Sequence, residues 1–132
     1  MPTIRASLAA AMTATALAVS SVATAQPAQP YYVFLYRPGP AWKAGLPMSK
    51  QDMRPHGAYI ARLDREGRIV AAGGWPDNGG MAIVRAASLQ EARGLLAADP
   101  AITSGLFVAD LQPWRPRFGD PSRAAPVAAR LN

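Results

Sequence analysis

The feature that most constrains the fold is a tight turn in the middle of the chain, the sequence PDNGG at residues 76–80. Asp, Asn and Gly tolerate the positive φ angles that hairpin turns require. The flanking segments 68–75 and 80–86 are rich in aliphatic residues, so we predict that they pair as two antiparallel strands. Any fold for this chain must therefore contain a central hairpin.

A helix is predicted directly after this hairpin. The sequence SLQE at residues 88–91 has the pattern of a capping box, with Ser88 as the N-cap and Glu91 three residues later. The helix is expected to stop at Asp99 and Pro100, because the residue before a proline is disfavoured in the α conformation.

The helix before the hairpin has a clear end and an ambiguous start. Gly67 is typical of a helix C-terminus. Ser49 and Asp52 form an S-x-x-D capping pattern, but Pro55 is comfortable only in a first turn. The helix therefore starts near Asp52 with Pro55 in its first turn, or starts at Ser49 and bends at Pro55.

Two further strands complete the order of elements. Residues 31–37, YYVFLYR, and residues 104–114, SGLFVADLQPW, combine aromatic and β-branched residues between prolines or glycines. The resulting order βαββαβ predicts an α+β fold, the ferredoxin-like plait. Such a fold has a four-stranded antiparallel sheet with two helices on one face.

The first strand is apolar on both faces. Val33 and Leu35 alternate with Phe34 and Tyr36, and successive side chains of a strand point to opposite sides of the sheet. Two helices cover only one face. We therefore expect the other face to pack against a second copy of the chain, which gives a homodimer.

The N-terminus is predicted to be a secretory signal peptide, residues 1–25. Arg5 precedes an apolar run over residues 8–19, and the small-x-small sequence ATA predicts cleavage between Ala25 and Gln26. The run is shorter than the roughly 20 apolar residues that span a bilayer. We expect a periplasmic or secreted protein with no stable membrane anchor after cleavage.

The rest of the chain divides into a short linker at residues 26–30, a folded domain at 31–114 and a tail at 115–132 that is expected to be disordered. The tail has four arginines and one aspartate, and thus carries half of the formal net charge of +6. Because the basic residues do not concentrate on the folded part, nucleic acid is not an expected partner.

The sequence lacks the residues that several kinds of catalytic or binding site require. The chain contains no cysteine, which excludes thiolate nucleophiles, and a single histidine with scattered carboxylates does not have the spacing of metal ligands. The glycine-rich sequences AAGGW and DNGGM lack the spacing of phosphate-binding loops. We therefore expect no metal and no cofactor.

The single histidine, His56, falls on the apolar stripe of the first helix. It shares that stripe with Met53, Ile60 and Leu63 at helical spacing. A histidine in this position can transfer protons near neutral pH. It can equally be a buried polar residue whose ring is bound by a carboxylate, and the stripe leaves both interpretations open.

Taken in order, the sequences RPHGAYIARLDREGRIVAAGGW, ASLQEA, DP and LQPW resemble the YCII-related domain family, over residues 31–114. The resemblance implies a dimeric α+β barrel and a histidine–aspartate pair beside a pocket, at His56 and Asp99. It also implies enzymatic activity, because one relative dehydrochlorinates a chlorinated aromatic compound. Gly74 stands where the family usually has proline, so that substrate is not carried over.

Four further residues are candidates for substrate binding. Tyr36, Tyr59 and Trp75 could line an apolar pocket, and Arg54 could bind an anionic group. Aromatic residues of this kind also form ordinary core, and an arginine is also found simply solvated at the surface.

These observations lead to one functional hypothesis and one alternative. The hypothesis is a cofactor-independent lyase or isomerase, in which His56 acts as acid and base and Asp99 orients it, on a small apolar or aromatic molecule. The alternative is a non-catalytic ligand-binding or structural dimer of the periplasm, in which the same pair only ties two helices together.

Overall fold

The computed structural model describes residues 30–121. The elements are β1 (Tyr31–Pro38), α1 (Arg54–Arg65), β2 (Ile69–Gly74), β3 (Gly80–Arg85), α2 (Leu89–Ala97), α3 (Pro100–Thr103) and β4 (Phe107–Trp114), with a 3₁₀ turn at Met48–Lys50. The predicted signal peptide, the linker up to residue 29 and the tail from residue 122 lie outside the described residues. Within residues 30–121, no helix has the length and hydropathy needed to cross a bilayer.

The four strands form one antiparallel sheet in the order β2-β3-β1-β4. The first strand is central, because β1 pairs with β3 on one side and with β4 on the other. The predicted hairpin pairs β2 with β3, and its turn contains Gly79 at a φ of 71°. The predicted ferredoxin-like α+β fold is confirmed.

The two faces of the sheet differ in burial. Tyr32, Phe34 and Tyr36 of β1 are buried beneath the helices, in one cluster with Ala92 of α2 and Ala101 of α3. The opposite face, which we call the open face, carries Val33 and Leu35 of β1 with Met81 and Ile83 of β3, all only partly buried. A second copy of the chain on that face stays a prediction.

The first helix begins at Arg54, with Pro55 in its first turn. Of the two predicted starts, the one near Asp52 with Pro55 in the first turn is therefore confirmed, and the one at Ser49 with a bend at Pro55 is wrong. Ser49 is not a helix cap, because it belongs to the preceding 3₁₀ turn, which ends in extended backbone at Gln51.

The side chain of Gln51 explains why the helix does not begin at Ser49. It is buried, accepts a hydrogen bond from the Lys43 amide at 2.9 Å, and donates to the carbonyls of Lys43 and Leu46 at 2.9 and 3.1 Å. These bonds satisfy three main-chain groups of the loop between β1 and α1. The chain therefore continues as an ordered loop up to Met53.

The second helix has the predicted cap. The Ser88 hydroxyl accepts from the Glu91 amide at 3.0 Å, and the Glu91 carboxylate accepts from the Ala87 amide at 2.5 Å and from Arg68 at 2.6 Å. These donors, the Ala87 amide first, lower the pKa of Glu91.

The end of this region contains a helix that we did not predict. Asp99 does not merely terminate α2, which ends at Ala97; it is the N-cap of α3. Because α3 occupies Pro100–Thr103, β4 begins at Phe107 rather than at residue 104.

Candidate functional site

A cavity of about 1010 Å³ lies between α1 and the sheet, on the side of β2 and β3. This volume is in the range of pockets that bind small organic ligands. The space exists because α2 packs on β1 and β4, and because several of the sheet residues that line the cavity have very small side chains. These residues are Ala72 and Gly74 of β2 with Gly80 and Ala82 of β3.

His56 lies in the wall of this cavity that α1 provides, together with Gly57 and Ile60. Its side chain is 14% exposed. The imidazole meets the ring of Tyr36 edge to face at a centroid distance of 5.2 Å, and that of Phe107 at 5.5 Å. Two aromatic rings thus pack against the imidazole in the cavity wall.

Asp99 contacts the imidazole through its Nδ1 atom. His56 Nδ1 lies 2.9 Å from both carboxylate oxygens of Asp99, which is fully buried. Oδ1 also accepts from the Ala101 amide at 2.9 Å, and Oδ2 from the Tyr36 hydroxyl at 3.0 Å. The contact that the family resemblance implied between His56 and Asp99 is therefore present.

The surroundings of Asp99 determine which imidazole nitrogen is free. An ionised carboxylate can only accept hydrogen bonds, so Nδ1 carries the proton that His56 donates to Asp99. In the neutral ring, Nε2 then has a lone pair. Nε2 makes no hydrogen bond within residues 30–121, and no buried side-chain nitrogen or oxygen atom there lacks a partner. Nε2 is therefore accessible, and the cavity is the space that His56 borders.

Tyr36 lines the cavity, but its hydroxyl is already engaged. Burial first, and then the nearby Asp99 carboxylate, raise the pKa of Tyr36 above its ordinary value. The phenol therefore stays neutral and donates its proton to Asp99. Its ring can contact a ligand, while its hydrogen-bond donor serves the carboxylate.

The other three predicted substrate-binding residues are not in the cavity wall. Tyr59 is buried and donates to the Leu95 carbonyl at 2.6 Å, which ties α1 to α2, and burial raises its pKa. Trp75 is 46% exposed in the hairpin turn, and Arg54 is exposed at the start of α1. Contact between these three residues and a ligand stays a prediction.

The sequence analysis did not identify two methionines that line the cavity, Met48 and Met53. Met48 reaches it from the loop that Gln51 holds, and its thioether sulfur would lie 3.6 Å from a Cβ placed on Gly74. The position of Met48 depends on the Gln51 hydrogen bonds to the loop backbone. A single glutamine has no sequence signal that predicts such contacts.

Comparisons with known proteins agree with the fold. The family model of the YCII-related domain matches residues 31–115. Among solved structures, the chain is similar to 5-chloro-2-hydroxyhydroquinone dehydrochlorinase from Burkholderia phenoliruptrix AC1100, in complex with 2,5-dihydroxybenzoquinone. The TM-score is 0.50 and the identity is 22%, over 64% of this chain and 93% of that one. At this identity the likeness shows the fold. No curated protein matches the chain.

Proposed function

Because the chain belongs to the YCII-related domain family, we propose that it is a lyase or isomerase in which His56 transfers a proton on a small aromatic or partly apolar molecule. One observation carries the proposal. The buried Asp99 carboxylate holds His56 Nδ1 at 2.9 Å, and this leaves Nε2 accessible beside a cavity of about 1010 Å³. No cofactor is part of the proposal.

The hydrogen bond from His56 to Asp99 suits acid–base catalysis in two ways. It fixes the ring and its tautomer, so that the lone pair of Nε2 is ready to accept a proton from a substrate. When Nε2 has accepted that proton, the imidazolium lies against the Asp99 carboxylate, whose negative charge stabilises it. The same nitrogen can then return the proton.

The side chains around His56 narrow the substrate class. The side chains in ring contact with His56 are Phe107, which is apolar, and Tyr36, whose donor is engaged. Neither can neutralise a negative charge that develops on a substrate beside His56. Arg85 also lines the cavity, but it lies at the other end of the pairing between β1 and β3 from Tyr36, and its guanidinium donates to main-chain carbonyls. We propose a substrate that disperses the charge itself, such as a hydroxylated aromatic ring or a quinone. The dehydrochlorinase that the chain resembles is described with ring compounds of this kind.

We also propose that the protein is exported, with residues 1–25 removed, and that it works as a homodimer through the open face. The signal-peptide pattern supports export. The partly exposed apolar residues of the open face, among them Val33, Leu35 and Ile83, support association, because a second sheet would cover them.

The experiment follows proton transfer directly. The purified protein is incubated in D₂O with a panel of hydroxyquinones and hydroxyhydroquinones, with and without a ring chlorine and including 2,5-dihydroxybenzoquinone. NMR records deuterium incorporation at ring carbons, and the loss of the proton and of chloride from the chlorinated members. His56→Gln should lower the rate of any enzyme-dependent reaction by about 10²–10⁴-fold, the usual contribution of a general acid or base. Circular dichroism verifies that the variant is folded.

Arg93→Gln is the matched control, because Arg93 is exposed on α2 and does not line the cavity. It should react as the wild type does. A reaction that continues at the wild-type rate in His56→Gln contradicts the proposal. If no compound reacts or binds and His56→Gln merely unfolds the protein, the pair is structural and the non-catalytic alternative is correct.

A further inference from the structure

The Asp99 carboxylate serves two side chains of the cavity at once. Its Oδ2 atom accepts from the Tyr36 hydroxyl at 3.0 Å and lies 2.9 Å from His56 Nδ1. We propose that Tyr36 is a positioning residue, whose hydroxyl sets the strength with which Asp99 holds the His56 imidazole. This inference rests on the proposed function, since it concerns the same acid–base pair.

The burial of Asp99 and Tyr36 makes the coupling strong. Asp99 is fully buried and Tyr36 is 4% exposed, so solvent does not compete for the carboxylate. Its donors among the described residues are His56, Tyr36 and the Ala101 amide. The low local dielectric strengthens each of these bonds. Because the three donors share one carboxylate, each of them reduces the negative charge that the other two can attract.

The number of donors to Asp99 determines whether loss of the Tyr36 hydroxyl strengthens or weakens the hydrogen bond between Asp99 and His56. A carboxylate that loses one of three donors concentrates more negative charge on the remaining two. Without the Tyr36 hydroxyl, Asp99 would therefore bind the Nδ1 proton of His56 more strongly. It would also hold the imidazolium more firmly after proton abstraction, and His56 would return the proton more slowly.

A second tyrosine provides the matched comparison. Tyr59 is also buried and also donates one hydrogen bond, but to the Leu95 carbonyl rather than to Asp99. Tyr36→Phe and Tyr59→Phe therefore each delete one buried phenolic hydroxyl. Only the first deletion removes a donor from the carboxylate that His56 contacts.

The test uses the fact that the chain contains one histidine. In ¹⁵N-labelled protein, the Nδ1 proton of His56 should give a single downfield resonance, because the buried Asp99 carboxylate shields it from exchange. Tyr36→Phe should move this resonance further downfield, because the hydrogen bond to Asp99 strengthens, and Tyr59→Phe should leave it in place. Equal positions in all three proteins, or equal shifts in both variants, overturn the inference.

A measurement on the unaltered protein covers the case in which Tyr36→Phe fails to fold. The hydroxyl proton of Tyr36 should exchange slowly and should show a nuclear Overhauser effect to the Nδ1 proton, since Tyr36 donates to Oδ2 and His56 Nδ1 lies 2.9 Å from that same oxygen. If the folded protein shows no such effect, the two donors do not share the carboxylate and the inference fails.

Kinetics separate this inference from the proposed function. With any substrate that the panel yields, Tyr36→Phe should change kcat several-fold at unchanged KM, because the bond acts on the proton-transfer step rather than on binding. If His56→Gln abolishes the reaction while Tyr36→Phe changes neither kcat nor the resonance, the proposed function stands and the inference is wrong. If no compound reacts but the resonance moves as expected, the proposed function fails and the coupling of Tyr36 to His56 is supported.

Discussion

At the scale of single residues, the full burial of Asp99 is tolerated because its oxygens have several donors. A buried carboxylate without partners would cost several kcal/mol, an order of magnitude typical for unpaired buried charges. Tyr36, His56 and the Ala101 amide supply those partners. A cluster of this kind links β1, α1 and α3 at one point, beside the cavity.

The neutrality of Tyr36 has a consequence at alkaline pH. Burial and the Asp99 carboxylate raise the pKa of Tyr36 above its ordinary value of 10.0, so the folded protein keeps this proton when the unfolded chain releases it. The contribution of Tyr36 to stability is therefore complete below pH 10 and is lost as the pH rises further.

We therefore expect the free energy of unfolding to fall more steeply with pH in the wild type than in Tyr36→Phe, over the interval from pH 10 to about 12. The difference in slope approaches about 1.4 kcal/mol per pH unit for one proton. Urea denaturation at several pH values measures it. Parallel curves for the two proteins would show that Tyr36 ionises in the folded state as it does in the unfolded chain.

The residues of the site could be predicted to different degrees. His56 was located by helical spacing alone, but its partner Asp99 came from the family resemblance, because the two are separated by 43 residues in the chain. The hydrogen bond from Tyr36 to Asp99, across 63 residues, has no local sequence signal. Contacts of this range depend on how elements pack, which periodicity does not report.

At the scale of elements, local chemistry predicted the structure where side chain and backbone interact within one turn. The Ser88 and Glu91 cap is present because both partners lie within four residues of each other. The S-x-x-D pattern at Ser49 failed because Gln51, through contacts with Lys43 and Leu46, holds that segment as a loop. Contacts beyond one turn thus overrode the local pattern.

The small helix α3 shows the same limit. Asp99 followed by proline is a valid signal for the end of α2 and equally for the start of a new helix, because proline favours a first turn. The sequence does not distinguish the two. The second role is the one that turns the carboxylate towards the interior, where it can accept from Ala101 and His56.

At the scale of the whole molecule, the order of strands and helices was enough to predict the ferredoxin-like sheet. Two apolar faces in β1 follow from simple alternation, and one of them is covered by helices. The cavity could not be predicted in this way. It depends on α1 lying over the small residues of β2 and β3, such as Ala72 and Gly80, and sequence patterns do not report the distance between a helix and a sheet.

The proposed homodimer makes a prediction at this scale. Ile83→Lys places a charge on the open face and should convert a dimer into a monomer, because a buried unpaired charge opposes association. Analytical ultracentrifugation measures the mass of each protein. Ala97→Lys, at an exposed position of α2, is the control and should remain dimeric. A wild type that sediments as a monomer at all concentrations would exclude association through this face.

We propose that His56 presents a proton-accepting Nε2 to the cavity, while its Nδ1 donates to Asp99. The most direct test is the ¹⁵N spectrum of the single imidazole, recorded for the free protein near neutral pH and then with 2,5-dihydroxybenzoquinone as probe. We predict a proton on Nδ1 and a lone pair on Nε2 in the free protein, and a change centred on Nε2 when the probe binds. A proton on Nε2 in the free neutral ring, or binding that leaves Nε2 unchanged, would contradict the account.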